Sequence, residues 1–129
     1  MATLVVNAGK ALLSGLLSGV TSLPPKFIGI GSGAGTTAAT DTTLFTEFTT
    51  GTWTGYARGS ASGTQATTTT TNDTARFSDS FTAPAAESVT NAGCFDAASG
   101  GNCLVKGDFA AVNLASGDSI TITISVQFS

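Results

Sequence analysis

The chain contains no histidine, and charged residues make up only 10% of it, against an ordinary share of about 25%. Without an imidazole there is no usual general base and no common metal ligand, which excludes a catalytic triad, a cysteine–histidine pair and a zinc site. Basic residues are few and dispersed (Lys10, Lys26, Arg58, Arg76 and Lys106), and the net charge is -3. The sequence pI is about 4.4. No basic patch can neutralise phosphates, so nucleic acid is not an expected partner. The apolar start, residues 1–20, is too short and too interrupted to span a bilayer. It also lacks a basic leader and is broken by Lys10, so it reads as mature sequence with no membrane partner.

In place of charge the chain carries threonine, serine, glycine and alanine, which predicts a neutral, hydroxyl-rich surface. Such a surface repels other copies weakly and suits work within an assembly. At 129 residues the chain fits one domain that buries roughly 65 to 70% of its unfolded surface without needing a staple. The clearest pattern lies in residues 119–129. Ile120, Ile122, Ile124, Val126 and Phe128 alternate with Thr121, Thr123, Ser125 and Gln127, the period of a half-buried strand. This predicts a chain that ends inside a sheet, with attachment left to the N-terminal region, loops or sheet edges.

Leu12, Leu13, Leu16, Leu17 and Val20 share one helical face, with Asn7 placed to cap a helix starting at Ala8. Gly9, Gly15 and Gly19 weaken that helix by about 1 kcal/mol each, so it must pack on a sheet or a neighbour. Pro24 and Pro25 are expected to end it. Strand patterns follow at residues 26–31, 53–60, 64–72, 75–82, 88–95, 103–114 and 119–129, separated by Gly-rich or Asx-rich turns. Asp41, Leu44 and Phe48 suggest one helical turn between them. The threonine run 67–71 places hydroxyls on both faces of its strand, which assigns that strand to an edge or a wet interface. The expectation is an all-β protein, a β-sandwich or jelly-roll-like fold with a short N-terminal helix. Its parts are a helix or arm over 1–22 and a sandwich over 23–129, within a single domain.

Residues 29–35, Gly-Ile-Gly-Ser-Gly-Ala-Gly, have a glycine spacing superficially like a phosphate loop. However, Thr36 stands where the dinucleotide pattern needs glycine, and no P-loop lysine follows, so a tightly turned or flexible loop is expected. The eight carboxylates mostly sit where turns and caps want them, and no catalytic residue, cofactor or metal is assigned. Asp79 is the exception, because it shares a strand face with Phe77 and Phe81 and would need a partner such as Arg76 or Arg58. Asn72, Asp73 and Thr74 form a sequon that reads as a turn. Cys94 and Cys103 flank the turn at 97–100, and counting inward sets them opposite each other in a hairpin. Either a disulfide or two buried free thiols fits.

Three segments carry a resemblance: residues 90–101 (Thr-Asn-Ala-Gly-Cys-Phe-Asp-Ala-Ala-Ser-Gly-Gly), 104–109 (Leu-Val-Lys-Gly-Asp-Phe) and 117–124 (Gly-Asp-Ser-Ile-Thr-Ile-Thr-Ile). With the glycine entry at 27–35 and the Thr-Asp-Thr-x-Leu segment at 40–44, the chain resembles small virion structural proteins of tailed bacteriophages. The resemblance implies a head decoration (cement) protein or a tail or fibre component. Under the decoration reading the protein, made in the bacterial cytoplasm, binds the outside of the capsid as a homotrimer. It bridges major capsid protein subunits mechanically and is not an enzyme. The alternative is a tail fibre or receptor-binding component. Leu12, Leu16, Phe48, Trp53 and Tyr56 are the candidate interface residues, with a place in the core as the competing reading of each.

Overall fold

The structure is a computed structural model that describes residues 2–20 and 26–128. The expected break at Pro24 and Pro25 lies outside the described residues, as does Ser129. The elements run β1 (Ala2–Val5), α1 (Asn7–Ser18), β2 (Phe27–Gly31), β3 (Gly59–Ser60), β4 (Ser62–Ala66), β5 (Thr74–Thr82), β6 (Glu87–Phe95), β7 (Cys103–Leu114) and β8 (Ser119–Gln127). Every strand pairing is antiparallel. One sheet has the order β1-β7-β6-β2-β3 and the other β4-β5-β8. The protein is thus all-β and sandwich-like, with one short helix among the described residues.

Residues paired across strands share a sheet face, so the register defines the core. Val5, Val105, Cys94 and Ile28 form one row across the five-stranded sheet. The parallel row ends on Ala92 and Ile30. These residues join Phe81, Ile122, Ile124 and Val126 of the other sheet in the main apolar cluster. In β8 only alternate residues are buried, as period two demands. Burial of each such Ile or Val contributes roughly 1.5–3 kcal/mol.

The opposite face of the five-stranded sheet is also covered, which is why β7 begins with four consecutive buried residues. Val6 lies on that face and donates its N–H to the Leu104 carbonyl at 3.2 Å, while helix α1, which follows, packs on β7 and sends Leu12 into the main cluster. A Cβ at Gly9 would lie 2.0 Å from that carbonyl oxygen, so the glycine that weakens the helix is also what lets it approach. The N-cap is Val6, with no side-chain capping bond, and not Asn7. Asn7 instead donates its backbone N–H to Ala39. Leu12 is buried, but Leu17 and Val20 are 93% and 85% exposed. The expected leucine face is therefore only partly used, because contact runs through Val6, Gly9 and Leu12.

Two strand expectations and one helical turn change. Residues 50–55 form turns, with the Trp53 and Tyr56 N–H groups bonded back to Thr49 and Trp53, and only Gly59–Ser60 of the expected strand pairs, as β3. The turn chemistry of Thr49, Gly51 and Gly55 overrides local β-propensity here. Strand β4 is an edge strand of its sheet, but it stops at Ala66, and the threonine run beyond it is a turn organised by Asp73. The Asp73 carboxylate accepts the backbone N–H groups of Thr68, Thr69 and Thr70 and the Thr74 hydroxyl at 2.8–3.0 Å. The expected helical turn at 41–48 is absent. Leu44 and Phe48 are both buried, but in different clusters.

Candidate functional site

Residues 32–48 form a long strap across the outer face of the five-stranded sheet. Glycine at alternate positions makes room for it, since Gly29, Gly31, Gly33 and Gly35 all turn the same way. A Cβ on Gly31 would come within 2.6 Å of the Phe45 carbonyl, and one on Gly35 within 2.7 Å of the Phe45 ring. The phosphate-loop-like glycine run is thus a groove for the strap.

Buried polar groups fasten it. Asn91 is fully buried; its Oδ1 accepts the Phe45 N–H and its Nδ2 donates to the Phe45 carbonyl, each at 3.0 Å. Lys106, only 1% exposed, donates to Asp41 at 2.9 Å and sets its ammonium 3.2 Å from the centre of the Phe45 ring. The Asp108 carboxylate accepts the Thr37 N–H at 2.8 Å, and Thr90 donates to the Gly33 carbonyl. Asp41 is held below the usual carboxylate range, first by the Ala38 N–H and then by Lys106. A buried ammonium without that partner would carry a penalty of several kcal/mol.

A second fastening lies at the strap's end. Arg58 meets Glu47 through two parallel contacts of 2.8 Å and donates to the Ala97 and Gly100 carbonyls. Its guanidinium sits 3.7 Å from the centre of the Phe95 ring. Tyr56 donates to Glu47 at 2.9 Å and accepts the Ile30 N–H at 3.1 Å. Burial, aided by Glu47, pushes its phenol well above the usual value. These groups border a shallow cleft of about 370 Å³. Glu47, Arg58 and Tyr56 satisfy one another there, and Arg58 ties the 96–102 turn to the strap.

The hairpin register differs from simple inward counting. Cys94 stands opposite Val105, while Phe95 stands opposite Cys103, with Leu104 the extra residue of a bulge. Cys94 and Cys103 therefore project from opposite faces, into different clusters, and both are free thiols. Burial pushes them up to about 12 and about 11, which keeps both protonated and inert near neutrality.

Of the candidate interface residues, Leu12, Phe48 and Trp53 are buried, and Tyr56 and Leu16 are half-buried. Phe48, Trp53 and Tyr56 do meet, with ring centres 4.9 and 6.2 Å apart from Phe48, but as core. Only Leu16 borders an open apolar patch, formed with Leu13, Leu17 and Phe128. Asp79 shares its face with Phe77 and Phe81 as expected, through pairing with Ile122. It is half-buried over Gly59, whereas Arg58 is taken by Glu47 and Arg76 reaches Ser125.

A groove of about 360 Å³ opens between the sheets, lined by Val105, Phe109, Val112, Ile120, Ile122 and Ile124. Val112 is 39% exposed within it. Alternation revealed the β8 face but gave no sign of an open flank. Among the described residues no cluster of His, Cys, Asp or Glu could hold a metal, and no helix is long and apolar enough to cross a membrane.

The sheet surface, the glycine groove and the strap are assembled from the same segments that carry the resemblance to virion proteins. A family model described as "Podophage GP4 fiber I protein gp80" matches residues 5–127, from the end of β1 through β8. The chain belongs to this family. It is accordingly a phage virion structural protein, and the matched span takes in both sheets, the helix and the strap. No curated protein matches the chain.

Proposed function

We propose that the protein is a fibre component of a phage virion and that its role is mechanical. The observation that carries this reading is the fibre-family match over residues 5–127. The chemistry of the surface supports it. Of the eight carboxylates, Asp41, Glu47, Asp73, Asp96, Asp108 and Asp118 each accept hydrogen bonds within the fold, and so serve to fix turns and straps. The outer face of β5 and β8 is a ladder of paired hydroxyls, with Ser78–Thr123, Ser80–Thr121 and Thr82–Ser119 at 2.8–3.2 Å. Such a neutral, rigid surface suits broad contact with other virion proteins.

Capsid decoration, with the major capsid protein as partner, is the alternative that the acidic balance favours. Copy number in purified particles, counted by quantitative mass spectrometry, separates the two. A fibre component should be present in a few tens of copies or fewer. Hundreds of copies spread over the head would overturn the fibre reading.

A further inference from the structure

We propose that β8 is a self-association edge, pairing antiparallel with β8 of a second copy about a twofold axis at Thr123. Among the described residues β8 hydrogen-bonds in its sheet only to β5, and its other side presents backbone groups that none of them pairs. Proteins usually guard such edges by shortness, charge, proline or bulges. Strands β1 and β3 are short, at four and two residues. Strand β8 has nine residues, no charge and no proline, and its register with β5 is unbroken.

Its sequence also selects the occupant. Read outward from Thr123, the flanking pairs are Ile122 with Ile124, Thr121 with Ser125, Ile120 with Val126, and Ser119 with Gln127. Antiparallel self-pairing about Thr123 therefore sets apolar against apolar on the core face and hydroxyl against hydroxyl on the outer face. That is the self-complementarity a twofold interface requires. The adjoining groove, with Phe109 and Val112 at its rim, would close against the same groove of the second copy. No charge on either β8 opposes this approach. The pairing is independent of whether the protein serves in a fibre or on the head.

Sedimentation of the full chain should show a dimer. Thr123→Lys, which sets two like charges together at the axis on an exposed position, should sediment as a monomer with an unchanged circular dichroism spectrum and a melting temperature that no longer depends on protein concentration. In a second arm, Thr123→Cys should cross-link to its own copy with a short bismaleimide. Thr121→Cys, whose two copies lie about 13 Å apart along the paired strands, should not. A natural chain that stays monomeric, a trimer, a dimer that survives Thr123→Lys, or equal cross-linking of both cysteine variants would each overturn the proposal.

Discussion

Asp73 shows how one side chain can set a turn that propensity alone misassigns. Threonine favours strands, yet a carboxylate within reach of three successive N–H groups gives the backbone a better set of partners than a sheet edge would. Those N–H groups, Thr70 first, hold the Asp73 carboxyl far below its ordinary 3.8. Asp108 and Asp41 are lowered as well, Asp108 by Thr37 and Asp41 by Ala38 and Lys106. Since all three are depressed in the folded state, folding releases protons at low pH. The stability they contribute is complete above their unfolded values and lost as pH falls through the folded ones. Melting temperature should therefore stay level from neutrality to about pH 5 and fall below about pH 4. In Asp73→Asn the acid limb of that curve should be shallower. Parallel acid limbs for both proteins would show that Asp73 does not contribute.

Legibility differs by element, and the differences have physical causes. Strands β5 to β8 were readable because each is long and bounded by turn residues, and in β8 because burial follows a single period. The strap was not, because its fixing groups are Asn91, Lys106 and Asp108, which lie far from it in sequence and look like ordinary strand residues. The glycine run read as a tightly turned or flexible loop, and only the fold shows that it makes room for Phe45. The Cys94–Cys103 pairing failed by one residue because a bulge leaves no mark in composition. The strap makes a sharp test possible. Gly31→Ala places a methyl against the Phe45 carbonyl, a backbone atom that cannot rotate away. It should lower stability by about 1–3 kcal/mol in urea denaturation and expose residues 32–48 to protease. The exposed neighbour Ser32→Ala should change stability by less than about 0.5 kcal/mol. Equal behaviour of the two variants would count against a tightly seated strap.

For the molecule as a whole, the N-terminal end is held more firmly than the sequence implies. Alternation through Phe128 points to a last strand held in a sheet, as β8 is to Gln127, and leaves residues 1–22 as a helix or arm. In the structure β1 completes the edge of the five-stranded sheet, with Val5 opposite Val105, and Val6 is fully buried beneath the strap. Phe128 lies just past β8 and is 55% exposed, held by its N–H to the Asp73 carbonyl at 2.8 Å. The cause is that β1 and Val6 are anchored by β7 and Leu104, contacts invisible in a short apolar segment read alone. Removing residues 1–6 should cost the β1 ladder together with the burial of Val6, which is worth about 1.5–3 kcal/mol by itself. Removing residues 128–129 should cost about 1 kcal/mol, the worth of one backbone hydrogen bond. Urea denaturation of the two truncated chains beside the full one measures both losses. An N-terminal deletion that unfolds at the same urea concentration as the full chain would show that β1 and Val6 do not hold the sheet together.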